Sequence, residues 1–360
     1  MNSDIDKYYL DMTLKLAKQG EFTVYPNPKV GAIIVSDNKI VGSGYHKSSG
    51  SSHAEAIAIK KAGSKTKNST LYVNLEPCSH FGKTPPCVDL IIKHKIKRVV
   101  IGYYDPNPLV NKKSINKLRR AGISVSMGVL KEKALLLNKE FYHMHQTGMP
   151  HVTVKVGLSL DGKISLSNGV SKWITSAESR KDVQRERAKS SVILSTSKTI
   201  LKDNPLLNVR EPRYSRQLTK QPDLAIIDNQ LCLNENLNIF NVPKRKILLF
   251  TQRNTKKKFG NNVEIIRLSK NNNYLRQVFN LLLARGHYKI FVESGSTLIS
   301  HLLKKQLVNE LLLYVSPKLL GHLSKSFSGM LNITELNNKI NFKVHDILPI
   351  NNDLKIRLVK

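Results

Sequence analysis

The chain has 360 residues, 40% of them hydrophobic, with three cysteines and a formal charge of +32. That length exceeds one ordinary core and suits two domains of roughly 150 to 200 residues, the apolar content excludes a disordered polyelectrolyte, and the cysteine count excludes a disulfide scaffold. The basic residues are spread along the whole chain and do not alternate with the 6% of aromatics, which argues against a base-stacking surface and a specific nucleic-acid partner.

Apolar groups at Leu10, Leu14 and Ala17 predict an amphipathic helix over residues 6–19. Pro26-Asn27-Pro28 makes a rigid turn. Strands are expected at 30–35 and 40–45, joined across Asp37-Asn38-Lys39, and then a helix from 52/53 to 62. Strand 70–74, helix 86–94, strand 99–103, helix 115–121 and strand 124–128 complete an α/β layer around a mixed sheet. A helix over 130–146 hands over at Gly148-Met149-Pro150 to a second unit. Its predicted strands cover 151–157, 191–195, 224–228, 246–251, 263–268, 289–293, 310–315, 342–347 and 354–359, with helices at 177–188, 274–285 and 298–306. This is a second α/β domain with an antiparallel C-terminal part and no internal repeat. No apolar run reaches the roughly 18 residues of a membrane span, and nothing after Met1-Asn2-Ser3-Asp4 reads as a signal peptide. The expected compartment is the cytoplasm. Homo-oligomerisation is left open.

One constellation carries chemistry. His53-Ala54-Glu55 is followed, after a strand, by Glu76-Pro77-Cys78 and Pro85-Pro86-Cys87. A lone His-x-Glu or two cysteines would mean little, since each residue type is common in cores. Together, one imidazole and two thiolates make a three-ligand zinc site whose fourth position stays open, as hydrolysis requires. Glu55 lies too close in sequence to His53 for a fourth ligand and suits general acid–base work on a water. One catalytic zinc per chain is therefore expected, held by His53, Cys78 and Cys87. His46 could simply face solvent, and Cys232 is a lone thiol.

In the second half no Gly-x-Gly-x-x-Gly follows a strand, which disfavours a doubly wound dinucleotide fold. Glu293-Ser294-Gly295-Ser296-Thr297-Leu298 is a strand end, a small-residue turn and a helix start, able to hold a phosphate or simply to cap a helix. Lys155 could orient a reacting oxygen or face solvent. Trp173, the single tryptophan, could pack in the core or line a cofactor.

The zinc motifs resemble those of the cytidine/deoxycytidylate deaminase superfamily, whose usual second half is Pro-Cys-x-x-Cys. The longer Cys78 to Cys87 loop, Pro26-Asn27-Pro28-Lys29-Val30-Gly31 and Asp105-Pro106-Asn107-Pro108 resemble more narrowly the bifunctional RibD family of riboflavin biosynthesis. Residues 154–163, 171–175, 203–210, 293–298 and 317–321 are similar to the reductase half of that family. The resemblance implies a cytidine-deaminase-like three-layer α/β/α domain over 1–147 and a dihydrofolate-reductase-like α/β domain over 148–360. It implies zinc-dependent hydrolytic deamination of 2,5-diamino-6-(5-phosphoribosylamino)pyrimidin-4(3H)-one. NADPH-dependent reduction of 5-amino-6-(5-phosphoribosylamino)uracil to the ribitylamino product would follow. The partners would be small phosphorylated pyrimidines.

Carried over residue by residue, Asn27, His80 and Lys83 would meet the pyrimidine substrate. Gly157, Trp173, Thr199, Asp203, Asn229, Gly295, Ser296, Thr297 and Leu298 would line NADPH. Lys155, Ser171, Arg187, Leu207, Arg210 and Glu293 would meet the reductase substrate. Asn208, Ser294 and Asn309 depart from the family's usual threonine, glycine or alanine, and aspartate. The rival reading is a zinc deaminase of a nucleotide or RNA base with a C-terminal binding domain. A non-enzymatic zinc-stabilised nucleic-acid-binding protein would instead need a filled fourth metal position.

Overall fold

A computed structural model describes residues 3–81, 85–271 and 273–360. The chain separates into two compact units, Met1–Gly148 and Met149–Lys360. No helix among the described residues is long and apolar enough to cross a membrane.

The first unit runs α1 (Ser3–Ala17), β1 (Gly31–Ser36), β2 (Lys39–Tyr45), α2 (Ala54–Ala62), β3 (Thr70–Leu75), α3 (Cys87–Lys93), β4 (Arg98–Tyr103), α4 (Lys113–Arg120), β5 (Ser124–Met127), α5 (Lys131–Leu137) and α6 (Lys139–Thr147). The sheet order is β2-β1-β3-β4-β5; β1 pairs antiparallel with β2 and β3, and β3, β4 and β5 are parallel. Side chains alternate between faces along a strand, and β1 uses both. Ile33 and Val35 pack with Leu10 of α1, while Ala32 and Ile34 pack with Ala54 and Ala58 of α2, Val88 and Ile91 of α3 and Leu118 of α4. Burial on both sides makes the three layers expected of this half.

Close packing of α2 depends on two glycines. A Cβ on Gly42 would stand 2.2 Å from the Ala58 carbonyl oxygen, and one on Gly44 would stand 2.7 Å from that of Ala54. Only the bare backbone lets β2 lie this near the helix that carries the histidine and glutamate.

The predicted single helix over 130–146 is two. It breaks at Asn138, whose φ of −119° leaves the helical range. The Asn138 side chain accepts the Lys29 N–H at 2.9 Å and donates to the Lys29 carbonyl at 3.0 Å. A tertiary bond pair wins over local helix propensity.

The second unit comprises β6 (His151–Ser159), β7 (Lys163–Ser165), α7 (Ala177–Ala188), β8 (Val192–Thr196), α8 (Ser197–Asp203), α9 (Pro212–Ser215), β9 (Asp223–Ile227), β10 (Ile247–Thr251), β11 (Val263–Arg267), α10 (Tyr274–Ala284), β12 (Lys289–Val292), α11 (Ser296–Lys304), β13 (Glu310–Ser316), β14 (Lys325–Ser326), β15 (Lys343–Ile350) and β16 (Asp353–Val359). The short elements β7, β14, α8 and α9 were not expected from the sequence. A nine-stranded sheet has the order β11-β10-β9-β8-β12-β6-β13-β16-β15. It is parallel from β11 to β13, and β16 alone runs the other way, pairing antiparallel with both β13 and β15. One face packs Val152, Val154 and Val156 of β6 against Phe279 of α10 and Leu302 of α11. On the other, Val183 of α7 meets Phe291, Leu312 and Tyr314, and Ile200 of α8 meets Ile193 and Leu224. Because the central strands are parallel, their carboxyl ends share one edge, where ligands of open α/β sheets collect.

Helix α7 divides its charges by face. Asp182 and Glu186, four residues apart, meet the C-terminal strand: Lys355 Nζ lies 2.5 Å from Asp182 Oδ2 and 2.9 Å from Glu186 Oε1, and Arg357 lies 3.0 Å from Glu186. Burial alone would raise the Glu186 carboxyl, but Lys189, Arg357 and Lys355 hold it well below the usual carboxylate range. The opposite face carries Arg180, Gln184 and Arg187 and lines a cleft.

Candidate active sites

In the first unit, the zinc-type donors converge. His53 is the N-cap residue of α2, Cys78 follows the end of β3, and Cys87 opens α3. His53 Nδ1 lies 3.4 Å from Cys78 Sγ and 3.3 Å from Cys87 Sγ, and all three ligand atoms lie within 4.8 Å of one another. A tetrahedral zinc with bonds of about 2.0 Å to nitrogen and 2.3 Å to sulfur has N···S edges of about 3.5 Å, so the donor set fits. The Cys78 thiol is held down to about 4, chiefly by its hydrogen bond with Cys87 and, against burial, by that with His53. A thiolate there is a ready metal ligand.

Glu55 is the second residue of α2, in its first turn, and is 3% exposed. Burial, and then the neighbouring Cys78, push its carboxyl up to about 7. Its carboxyl and the Cys87 thiol influence each other's ionisation, which places Glu55 beside the converging donors. A carboxyl near neutrality can both accept and return a proton.

Asn27 is present at this site through a residue the sequence reading undervalued. His46 does not face solvent; it is 3% exposed. Its Nδ1 lies 3.2 Å from the Ser52 carbonyl and its Nε2 lies 2.9 Å from Asn27 Nδ2. The carbonyl assigns the proton to Nδ1, so Nε2 accepts from the Asn27 amide and leaves the Asn27 oxygen as acceptor for a ligand. The His46 and His53 rings meet edge to face at 5.4 Å. His80 Nδ1 is buried and finds no hydrogen-bond partner among the described residues. Lys83 lies outside them.

In the second unit, the residues named from the sequence come together. A cleft of about 870 Å³ is lined by Lys155, Gly157, Ser171, Trp173, Arg187, Thr199, Asp203, Leu207, Arg210, Asn229, Glu293, Gly295, Ser296, Thr297 and Leu298. They reach it from the carboxyl ends of parallel strands: Thr199 follows β8, Asn229 follows β9, and 293–298 follow β12. Lys155 is not a solvent-facing lysine. Its Nζ lies 3.2 Å from Glu293 Oε2, and Arg187 Nε lies 2.5 Å from Glu293 Oε1. Arg187 also donates to the Asn208 carbonyl at 2.9 Å. Burial would raise the Glu293 carboxyl, but Arg187 and Lys155 hold it at about 2.

Trp173 does not pack in the core; it is 62% exposed at the cleft. The groups present suit a nicotinamide cofactor. Among the described residues, a Cβ added to Gly295 would meet no atom within 4 Å, so the turn before α11 opens onto space, and the buried Asn229 Oδ1 finds no hydrogen-bond partner. Asn309 does what the family's aspartate could do, accepting the Val152 N–H at 2.8 Å. Cys232 also borders the cleft, with Sγ 3.1 Å from Asp228 Oδ1. Arg180 is one of several lining residues that sequence reasoning missed, Gln184 among them. Its signal was available in the spacing of 180, 184 and 187, which puts three polar side chains on one helix stripe.

Known proteins match both units. The family model described as the cytidine and deoxycytidylate deaminase zinc-binding region matches residues 3–103, and that of the RibD C-terminal domain matches residues 150–356. The riboflavin biosynthesis protein RibD of Buchnera aphidicola is 40% identical, covering 99% of this chain and 98% of its own. That of Escherichia coli is 39% identical, covering 98% of this chain and 99% of its own. Among solved structures, Acinetobacter baumannii RibD superposes with a TM-score of 0.91 at 32% identity, covering 100% of this chain and 99% of that one. A diaminohydroxyphosphoribosylaminopyrimidine deaminase/5-amino-6-(5-phosphoribosylamino)uracil reductase from Thermotoga maritima gives 0.89 at 32% identity, with coverage of 100% and 99%.

Proposed function

The chain belongs to the RibD family of riboflavin biosynthesis, and on that premise we propose how its two sites divide the work. It is a bifunctional enzyme, a zinc-dependent deaminase and an NADPH-dependent reductase. We assign deamination to the unit Met1–Gly148 and reduction to Met149–Lys360. The reductase match over the C-terminal half sets aside the rival of a base deaminase with a binding domain.

In the deaminase site, His53, Cys78 and Cys87 would hold the zinc. Zinc bound there supplies the Lewis acidity that makes water nucleophilic near neutral pH. Glu55 takes a proton onto its carboxylate and returns it to the departing amine nitrogen; the C2–N bond breaks, a carbonyl replaces it, and ammonia leaves. Asn27, its amide fixed by His46, presents an oxygen to the pyrimidine edge. His80 and Lys83 complete the substrate contacts.

In the reductase site, bound NADPH would supply the hydride that C1 of the ribose receives as its ring opens. Gly157, Trp173, Thr199, Asp203, Asn229 and the 295–298 turn line the cofactor. Ser171, Leu207, Arg187, Arg210 and Glu293 bind the substrate. Lys155, backed by the Glu293 carboxylate, holds a proton for the ring oxygen as it becomes a hydroxyl. Arg187 is committed to Glu293 and Asn208, so Arg210 has the guanidinium freer to meet a phosphate.

The observation that carries this reading is the buried Glu55 beside three converging zinc donors. The test is a purified protein supplied with the diaminopyrimidine substrate and NADPH. Ammonia should appear first and NADPH should then be consumed in equal amount; no ammonia would defeat the reading. The same proposal places the enzyme in the cytoplasm and gives it no specific nucleic-acid partner. Binding to random duplex DNA should then be weak and fade toward physiological salt.

A further inference from the structure

Arg180 has no role in anything derived above, yet it sits at the centre of the reductase cleft's charge. It lies half-buried on the α7 stripe that also carries Gln184 and Arg187. Its guanidinium carbon stands 4.3 Å from the centroid of the Trp173 ring, and its Nη1 donates to the Thr175 carbonyl at 2.7 Å. Stacking and one carbonyl bond engage the flat face and a single N–H. A guanidinium has five N–H donors, and no carboxylate is recorded as an ion-pair partner of Arg180 among the described residues.

The neighbouring charges make the imbalance plain. The Arg187 charge is answered by Glu293. Arg210 has only a 3.4 Å contact with Asn208 Oδ1. Burial, and then the Arg187 cation, depress the Arg210 guanidinium; Glu293 partly offsets them, and Arg180 adds to the depression. Glu293 is already engaged by Arg187 and Lys155, so an anionic ligand would answer the positive charge left on Arg180 and Arg210. The planar fork matches phosphate oxygens. The Trp173 ring meanwhile covers one face of the Arg180 guanidinium.

We infer that Arg180 is a specificity-determining residue of the reductase cleft, contacting the phosphate monoester of a bound ligand through its free N–H groups while its face rests on Trp173. This rests on the reductase reading of the cleft. A phosphate monoester could reach Arg180 from the sugar 5-phosphate of the substrate or from the 2′-phosphate that distinguishes NADPH from NADH.

Because Trp173 is the only tryptophan, its emission reports on this pair directly. The intact protein and its R180Q and R180K variants would be titrated with ribose 5-phosphate against ribose, and with NADP+ against NAD+. Loss of a charge-assisted contact should weaken the phosphorylated probe by about 10- to 100-fold in R180Q, leave the unphosphorylated one unchanged, and be partly rescued in R180K. Weakening confined to ribose 5-phosphate assigns the contact to the substrate, and weakening confined to NADP+ assigns it to the cofactor. Equal affinity of R180Q and the native protein for both phosphorylated probes overturns the inference. So does a native Trp173 emission indifferent to both, a readout that survives even if R180Q fails to fold. Native protein that binds no NADPH would instead defeat the reductase reading itself, which keeps the two failures apart.

Discussion

Asn138 holds both backbone groups of a single residue, its side chain taking the Lys29 N–H at 2.9 Å and giving to the Lys29 carbonyl at 3.0 Å. The Asn74 amide donates to the same carbonyl at 3.0 Å, and its oxygen accepts the Gly31 N–H at 2.7 Å. Two buried asparagines thus pin the segment that holds Asn27 at the deaminase site. Asn138→Ala removes two bonds in a buried position and should cost about 1 to 3 kcal/mol. Urea unfolding would measure it; an unchanged midpoint would show the pair to be dispensable.

The metal set gives the second prediction. Cys87→Ser should lower bound zinc well below one per chain, because the serine oxygen is a poor substitute for thiolate. Elemental analysis decides it. Full zinc with undiminished ammonia release would rule out Cys87 as a ligand.

Glu55→Gln separates binding from proton transfer. The amide keeps the shape but cannot take the proton, so zinc should remain while deamination drops by roughly 10² to 10⁴-fold. The same protein should still oxidise NADPH when given the deaminated intermediate, since all the residues of the reductase cleft lie in the other unit. Loss of both activities in a folded protein would contradict two separate sites.

At the turn before α11, Gly295→Val fills space that no protein atom occupies within 4 Å. Strain on the protein should be slight, while a cofactor phosphate approaching the backbone is blocked. NADPH affinity should fall with zinc content unchanged. A native dissociation constant in the variant would place NADPH elsewhere.

Glu293 sets a pH dependence. Its folded value of about 2 lies below its ordinary 4.5, because Arg187 and Lys155 overcome the effect of burial. A depressed carboxyl contributes stability that is fully present above its unfolded value and is lost as pH falls through the folded one. The loss should therefore run from about pH 4.5 down to about 2. Thermal unfolding of Glu293→Gln against pH should be flatter across that window than the native curve. Parallel curves would mean that the ion pair does not survive in solution.

What the sequence discloses depends on how local each feature is. His53, Cys78 and Cys87 sit at the ends of elements with strong periodicity, so their convergence could be anticipated from strand and helix order. The Glu293 to Leu298 turn was visible for the same reason. Asn138 was not, because the bond that breaks the helix comes from Lys29, and nothing near 138 announces it. His46 was misjudged likewise, since its burial is decided by Asn27 and Ser52 across a fold. The pairing of Arg187 with Glu293 joins residues 106 apart in the chain. It makes Arg187 one arm of a buried pair, which no local spacing announces. Elements as short as β7 and α8 lack enough residues to show a period at all.

The two faces of α7 impose an order on the birth of the enzyme. Lys355 and Arg357, which answer Asp182 and Glu186, leave the ribosome after every residue that lines the reductase cleft. Until they arrive, Lys189 is the cation left to answer Glu186 among the three that hold it down. The zinc donors, by contrast, are all translated within the first 87 residues. A nascent chain can therefore load metal long before it can grip a phosphate, and a ribosome-arrested series ending short of β16 should acquire zinc while remaining blind to NADPH.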